Sequence, residues 1–159
     1  MGRPAMVFPL RDQSGALKGV HARYVDERET PKSRTLGDKK SAIFATSDAL
    51  LPALPALIVT EAPLDALSLA LAGYPAIALC GTSAPHWLHR ACAFRRVLLA
   101  FDGDEAGEAA TEKLAPHLAS FGARVERLTP EGTKDWNEML QTAGRDALAD
   151  WLAERVLSN

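Results

Sequence analysis

Five acidic side chains stand at or just beyond the ends of apolar segments in this 159-residue chain. The segments have the length and composition of buried strands, and ligands of an open α/β sheet bind beyond the carboxyl ends of its strands. Carboxylates that are crowded at one edge repel each other unless a cation or a proton lies between them. Oxygen ligands without His or Cys favour Mg²⁺ or Mn²⁺ over zinc. The five acids are Glu61, Asp65, Asp102, Asp104 and Asp135.

Each of these acids also has a purely structural interpretation. Asp104 and Asp135 are well placed to cap the helices that follow them, and Glu138 would complete a capping box with Asp135. Asp65 falls in the first turn of a helix, where the helix dipole favours a negative charge. Glu61 is the exception, because a strand-end Glu before Ala-Pro caps nothing obvious. Taken together at one edge, the acids favour a metal site.

Strands and helices alternate in the part of the chain that carries the acids. Four short apolar runs predict buried strands, and the segments between them have helical spacing or helix start and stop signals. Strands that are apolar on both faces and joined by helices predict a parallel sheet covered on both sides. The predicted fold class is therefore α/β, with a parallel four-stranded sheet flanked by helices. The predicted strands are 56–60, 76–80, 95–101 and 123–128, and the predicted helices are 63–73, 86–94, 105–122, 136–141 and 145–157.

The first part of the chain has a different pattern. VFPLRD and ALKGVHARYV predict two strands around a Ser-Gly turn. Residues 26–41 are polar and basic without a period and predict a loop, and residues 42–45 predict a further short strand. We therefore predict a small basic β-rich N-terminal lobe over residues 1–54 and an α/β domain with C-terminal helices over residues 55–159.

Charge is divided unequally along the chain. Residues 1–45 carry nine Lys and Arg against five Asp and Glu, a net charge of +4. Residues 46–159 carry nine bases against fifteen acids, a net charge of −6. A basic segment beside an acidic one suggests that one binds an anion and the other binds a cation.

Composition excludes several classes of protein. The chain is 47% hydrophobic and 24% charged, which is ordinary for a globular domain. No charge-free apolar run reaches about 18 residues, and the N-terminus lacks the apolar core of a secretory signal. Cys80 and Cys92 are the only cysteines, too few for a four-thiolate zinc site or a disulfide framework, and they indicate a reducing compartment. We therefore expect a cytoplasmic protein without a membrane partner.

Three segments, in this order and spacing, resemble the motifs of the Toprim domain, which topoisomerases, bacterial primases and some nucleases share as a catalytic domain. They are TEAPLDALSLA, LLAFDGDEAGEAA and GTKDWNEML. FDGDEAG with KDWNE resembles the DnaG-type primase branch and its phage and plasmid relatives, and LCGTS matches the Gly-Thr turn of that branch. VFPLRDQSGALKGVHARYV resembles the basic strand pair that precedes the Toprim domain in primase catalytic cores. The resemblance covers most of residues 6–142.

The resemblance implies a role for each acid. Glu61 matches the acid that acts as general acid/base or metal ligand in the family, and Asp65 matches the second acid of that motif. Asp102 and Asp104 match the metal-binding pair, and Asp135 matches the later acid. The implied cofactor is Mg²⁺ or Mn²⁺. We expect the ion on Glu61, Asp102 and Asp104, with Asp65 and Asp135 as further ligands or directly beside them.

The resemblance also implies positions that bind nucleic acid or nucleotide. Arg11, Arg23 and the pair Lys39 and Lys40 fall near family positions that contact template or incoming nucleotide, and Lys134 is the basic neighbour of the later acid. The implied partners are a single-stranded DNA template and nucleoside triphosphates. The basic and acidic parts of the chain would then form two sides of one cleft, with metal ions bridging carboxylates to phosphates.

The resulting expectation is metal-dependent nucleotidyl transfer that synthesises RNA primers on single-stranded DNA in replication. The same metal site would serve a Toprim nuclease that hydrolyses nucleic acid, and a non-catalytic nucleic-acid-binding domain could keep the fold; both alternatives stay open. The basic N-terminal lobe favours the primase. Because the chain has no zinc ribbon and no helicase motif, we expect a helicase or a zinc-ribbon domain as a partner outside it.

Two positions depart from the family pattern. Ala-Pro follows Glu61 where the family has Gly, and Asn137 stands where many primases have a second Asp. The second departure predicts that one metal position is weaker or absent.

Overall fold

A computed structural model gives the fold over residues 3–26, 30–81 and 83–157, so that Thr82 of the LCGTS segment lies outside the described residues. No helix in this part of the chain combines the length and the apolar character needed to cross a membrane. The described residues form eight strands and five helices, in the order β1 (Ala5–Arg11), β2 (Leu17–Tyr24), β3 (Ser33–Gly37), β4 (Phe44–Ala45), β5 (Leu57–Thr60), α1 (Pro63–Leu71), β6 (Ala76–Ala78), α2 (His86–Cys92), β7 (Arg96–Leu99), α3 (Glu105–Ala119), β8 (Arg124–Arg127), α4 (Trp136–Ala143) and α5 (Arg145–Val156).

The main sheet has the strand order β4-β6-β5-β7-β8. Strands β6, β5, β7 and β8 pair in parallel, which confirms the predicted parallel sheet. Strand β4 pairs antiparallel with β6, with Phe44 opposite Ala78, so the sheet has five strands where four were predicted. The additional edge strand is two residues long, too short for periodicity to identify it as part of this sheet.

The order of the parallel strands creates a switch point between β5 and β7. The chain leaves β5 for β6 on one side and then returns to β7 on the other side of β5. Connections that leave neighbouring strands in opposite directions open a crevice at the carboxyl ends of those strands, where ligands of open α/β sheets bind. Glu61 follows β5, and Asp102 lies three residues beyond the end of β7.

Helices cover both faces of the main sheet, as predicted. Along β5, Leu57 and Val59 point into the core shared with α2 and α3, and Ile58 points into the core shared with α1, α4 and α5. All three side chains are buried. Because every position of such a strand meets a covered face, the whole segment must be apolar, and a short continuous apolar run is therefore a usable signal.

The limits of the helices follow from local sequence. Helix α1 begins at Pro63, whose missing N–H is not needed in a first turn, and the chain turns away at Gly73 with a left-handed φ of +94°. Asp104 and Asp135 precede α3 and α4 as their N-caps, which confirms the predicted caps.

The N-terminal lobe is a three-stranded antiparallel sheet in the order β1-β2-β3. The turn between β1 and β2 has Gly15 at a φ of +82°, as the Ser-Gly signal predicted. The loop predicted over residues 26–41 is wrong at Ser33–Gly37, which pairs with β2 as a strand. Neither face of this strand is consistently apolar, so its own pattern carries no strand signal, and pairing with β2 decides its conformation.

The lobe packs onto the main sheet through its inner face. Phe8 and Leu10 of β1 are buried in the same core as Ile58 of β5. The N–H of Arg11 donates to the carbonyl of Ile43 at 2.9 Å, and the N–H of Ile43 donates back at 3.0 Å. These contacts join the lobe to the α/β part; the boundary between residues 54 and 55 stays a prediction.

Candidate metal and nucleotide site

Asp102 is the electrostatic centre of the acidic cluster. Burial, followed by the negative charges of Glu61, Asp135 and Asp104, raises the pKa of Asp102 to about 6. Asp65 is coupled to the same carboxyl group, since the charge of Asp102 also raises the pKa of Asp65. The fold therefore brings the other four predicted acids within electrostatic range of Asp102, at the switch point of the sheet.

Asp65 is the most buried of the five acids. Burial, followed by the charges of Asp102 and Asp135, raises the pKa of Asp65 to about 7. Its Oδ1 accepts the backbone N–H of Trp136 at 3.1 Å and that of Asn137 at 3.2 Å. Asp65 thus lies in the first turn of α1, as predicted, and also caps the first turn of α4.

The two N-cap residues combine a structural bond with a free oxygen. Oδ1 of Asp104 accepts the N–H of Gly107 at 2.9 Å, and Oδ1 of Asp135 accepts the N–H of Glu138 at 2.8 Å. Within the described residues, the Oδ2 atoms of these two residues and of Asp65 accept no hydrogen bond. A cap and a ligand are therefore compatible uses of one carboxylate, and the predicted ligand roles stay predictions.

The five acids form a donor set that fits a hard divalent cation, because each of them offers carboxylate oxygens. Burial, followed by neighbouring negative charges, raises the pKa values of Asp65 and Asp102, and such a cation would neutralise those charges. Across the described ranges, however, no three His, Cys, Asp or Glu side chains are arranged so that they could hold a metal ion together. Binding would require these side chains to turn toward the ion.

Two glycines hold the segment that carries Asp102 and Asp104. A Cβ on Gly107 would overlap the carbonyl oxygen of Asp102 and lie 3.0 Å from its carbonyl carbon, so the first turn of α3 approaches Asp102 as only glycine allows. The N–H of Gly103 donates to the carbonyl of Lys134 at 2.8 Å. This bond ties the FDGDEAG segment to the KDWNE segment.

A cavity of about 250 Å³ lies between the N-terminal lobe and the carboxyl edge of the main sheet, and we call it the central cavity. Its lining residues come from β1, β2 and β3 on one side and from the segments after β5, β6 and β7 on the other. Acidic and basic side chains thus face the same space, as the division of charge predicted. The lining residues are Phe8, His21, Arg23, Ser33, Glu61, Ala62, Pro63, Leu64, Cys80, Gly81 and Asp102.

Four of the five predicted basic residues lie at or beside the central cavity. Arg23 lines it, and Lys134 is near enough to Asp102 to oppose the rise in its pKa. Lys39 and Lys40 line a neighbouring groove of about 520 Å³, which shares Cys80 and Gly81 with the cavity.

Arg11 is placed differently from the other predicted basic residues. Its guanidinium donates to the carbonyl of Gly15 at 2.8 Å, at the hairpin turn. Arg23 pairs with Met6 at the opposite end of β1. The structure therefore does not bring Arg11 to the acids, and its contact with template or nucleotide stays a prediction.

Three polar residues of the lobe were not singled out by the sequence. His21 and Ser33 line the central cavity, and Thr35 holds the His21 ring, with 2.8 Å between Nδ1 and Oγ1. His21 has no metal-ligand spacing to another histidine, and Ser33 and Thr35 lie in the segment predicted as a loop. The two-residue period of strand β2 could have identified His21, because His21 and Arg23 are two residues apart and therefore share a face of the sheet.

Comparisons with known proteins agree with this geometry. A family model described as Toprim-like matches residues 58–140. The chain is 28% identical over 156 residues to the DNA primase of Thermotoga maritima, which covers 92% of this chain and 28% of that protein. It is 30% identical over 144 residues to the gene 57 protein of Mycobacterium phage D29, which covers 89% of this chain and 90% of that protein.

Among solved structures, the chain is similar to the RNA polymerase domain of the Mycobacterium tuberculosis primase DnaG, with a TM-score of 0.69 and 27% identity. The likeness covers 94% of this chain and 54% of that one. The same mycobacterial domain has also been solved in complex with double-stranded DNA. The chain thus spans about a quarter of the Thermotoga primase and about half of the mycobacterial domain.

Proposed function

Because this chain belongs to the Toprim family, in its DnaG-type primase branch, we propose that it performs metal-dependent nucleotidyl transfer and makes RNA primers on single-stranded DNA. One observation carries the proposal: Asp102, coupled to four other acids, lines the same cavity as Arg23. Carboxylates repel a phosphate group unless cations lie between the two. The site offers an arginine on one wall and metal-binding oxygens on the other.

Glu61, Asp102 and Asp104 are the residues that would hold Mg²⁺ or Mn²⁺, with Asp65 and Asp135 beside them. The chemistry that such an ion supplies when bound is neutralisation of the phosphate charge and alignment of the attacking 3′-hydroxyl. The caps formed by Asp65, Asp104 and Asp135 fix the loops that carry these carboxylates. Fixed loops lower the reorganisation that the reaction would otherwise require.

The proton of the attacking hydroxyl is assigned to Glu61. Glu61 lines the central cavity, and its carboxylate accepts no hydrogen bond from the residues that the structure describes, so it is available as a general base. Arg23 is assigned to phosphate oxygens, which a guanidinium binds with two parallel N–H donors. Lys39 and Lys40 would hold the backbone of a nucleic acid strand in the adjoining groove, and Lys134 would contact phosphate beside Asp102.

The partners are part of the proposal. The mycobacterial domain solved with double-stranded DNA supports nucleic acid as one of them. We propose a helicase or a zinc-ribbon domain as a further partner, which would select and load the template. We place the reaction in the cytoplasm, where the template and the nucleoside triphosphates are found.

The test is a primer-synthesis assay on the whole chain with a single-stranded DNA template, labelled nucleoside triphosphates and Mn²⁺. We expect short labelled RNA, its loss in Asp102→Asn, and its retention in Glu112→Gln, which changes an exposed acid of α3. Cleaved template without labelled RNA would indicate the nuclease instead. DNA binding with neither product would indicate a non-catalytic binding domain.

A further inference from the structure

The inner face of the lobe sheet presents a polar row to the central cavity. His21 and Arg23 lie two residues apart on β2, and Thr35 stands directly opposite His21 on β3. Residues directly opposite in an antiparallel pair share one face of the sheet. His21 and Arg23 therefore face the same cavity as Glu61 and Asp102, from the opposite wall.

The His21 ring is held from two sides. Its Nδ1 lies 2.8 Å from Oγ1 of Thr35, and its centroid lies 6.5 Å from that of the Phe8 ring. Because Nδ1 is engaged by Thr35, Nε2 is the ring nitrogen left for a ligand in the cavity. Burial, followed by the charges of Arg23 and Lys39, lowers the pKa of His21 and favours the neutral ring.

We propose that His21 is a phosphate-contacting residue: the Thr35 hydroxyl donates to Nδ1, and Nε2–H donates to a phosphate oxygen of the nucleotide or nucleic acid strand bound beside Arg23. The proposal rests on the proposed function, because it requires a phosphorylated substrate in the central cavity. A neutral imidazole adds a directed donor next to Arg23 without adding a second positive charge. Thr35 fixes which nitrogen carries the proton and is the positioning residue.

Four variants separate this role from packing. His21→Ala removes the donor, whereas His21→Gln keeps an amide N–H near the position of Nε2. Thr35→Val removes the orienting hydroxyl and keeps the shape of the side chain. His117→Ala is the matched control, because that ring stacks on His89 at the surface of α3, away from the cavity. A thermal melt of each variant checks that it folds.

Calorimetry in Mg²⁺ then measures binding of ATP, of a single-stranded oligodeoxynucleotide and of adenosine. We expect His21→Ala to weaken binding of a phosphorylated ligand about tenfold, the loss of one hydrogen bond to a charged group. His21→Gln should stay within about twofold of wild type, and Thr35→Val should cost about threefold, but nothing further in the His21→Ala background. Adenosine binding should not change. The titration in which His21→Ala binds more weakly, with ATP or with the oligodeoxynucleotide, identifies whether His21 contacts the phosphate of a nucleotide or of a strand.

Several results would overturn the inference: equal affinity of His21→Ala and wild type for both phosphorylated ligands, a loss in His21→Gln as large as in His21→Ala, or a wild-type chain that binds neither ligand. Failure of the proposed function looks different. If the chain binds phosphate through His21 and yet makes no primer, the role of His21 is supported and the proposed function is contradicted. Primer synthesis with an unchanged Kd and KM in His21→Ala keeps the function and loses the inference.

Discussion

Asp65 and Trp136 are 71 residues apart, and one hydrogen bond of 3.1 Å joins the carboxylate of the first to the backbone N–H of the second. The bond links the TEAPLD segment at the start of α1 to the KDWNE segment at the start of α4. Asp65 is only 4% exposed, and Trp136 is fully buried, with its indole N–H donating to the carbonyl of Ala100 at 2.8 Å. One acid of the cluster therefore both contributes charge to the site and holds two of its segments together.

The first prediction follows from the raised pKa of Asp65. In the folded chain this pKa is about 7, above its ordinary 3.8, so between these values the folded state holds a proton that the unfolded state has released. Without metal, the free energy of unfolding should therefore fall as the pH rises through this interval. Asp65→Asn keeps an oxygen for both N–H groups and removes the charge. It should be more stable than wild type by about 1–3 kcal/mol at about pH 8, and similar to wild type at about pH 4.5.

Urea unfolding in EDTA at the two pH values measures this difference. Glu112→Gln, an exposed acid on α3, is the control and should follow wild type at both. Parallel pH profiles of Asp65→Asn and wild type would mean that the charged carboxylate is accommodated without cost.

The second prediction concerns the pH dependence of metal binding. A carboxyl group must lose its proton before it binds a cation, and the pKa of Asp102 is about 6. The affinity for Mn²⁺ should therefore be about tenfold weaker at about pH 5 than at about pH 7. Calorimetric titration of wild type and Asp102→Asn tests this, since the variant should lose most of the affinity and the part of its pH dependence that Asp102 supplies. An affinity that does not vary over this range would remove Asp102 from the ligand set.

The third prediction separates catalysis from folding at Glu61. The charge of Glu61 is one cause of the raised pKa of Asp102, so Glu61→Gln should lower that pKa and relieve repulsion in the metal-free protein. We expect a melting temperature in EDTA no lower than that of wild type, together with a loss of primer synthesis of about 100-fold or more. The two measurements are a thermal melt and the Mn²⁺ assay. A much lower melting temperature would make Glu61 structural, and full activity would take it out of the mechanism.

The fourth prediction concerns the basic wall of the cavity. Arg23→Ala should weaken binding to single-stranded DNA of any sequence and flatten the dependence of log K on log salt by about one unit. Arg34→Ala is the matched control, because Arg34 stands opposite Ala22, on the outer face of the same sheet, and is exposed. The measurement is the affinity of both variants for single-stranded DNA as a function of salt concentration. Equal slopes for the two variants would mean that Arg23 contributes only to the general surface charge and makes no phosphate contact of its own.

The fold of the α/β part could be predicted from the sequence because its signals are local. The segment 56–60 is apolar at every position, since β5 is covered on both faces, and Asp104 and Asp135 mark helix starts through their own caps. Strand β3 could not be predicted, because Ser33–Gly37 depends on β2 for its conformation. The short strand predicted at residues 42–45 is observed as β4 at Phe44–Ala45, but its place at the edge of the main sheet could not be predicted, because two residues carry no period.

The candidate site divides in the same way. Carboxyl ends of parallel strands meet at one edge, so the proximity of Glu61 and Asp102 follows from their positions in sequence alone. The opposite wall depends on how the lobe strands pair. A shift of one residue in the register of β2 would turn His21 away from the cavity. The polar segment that forms β3 predicts neither this register nor the pairing of β3 with β2.

The last prediction tests the close approach between Gly107 and Asp102. Helix propensity alone predicts that Gly107→Ala stabilises α3 by about 1 kcal/mol. The structure predicts the reverse, because a Cβ at this position would overlap the carbonyl oxygen of Asp102, and a backbone atom cannot give way as a side chain can. We expect a destabilisation of about 2 kcal/mol and weaker Mn²⁺ binding, since Asp102 must move. Gly103→Ala is the matched control within the same motif: its Cβ would come no nearer than 3.4 Å to the carbonyl of Thr133, an ordinary contact, and its free energy of unfolding should change by less than about 0.5 kcal/mol. Urea unfolding of both variants measures the contrast. If Gly107→Ala were as stable as Gly103→Ala, the first turn of α3 would have space for a Cβ at position 107. The position of Asp102 would then not depend on a glycine.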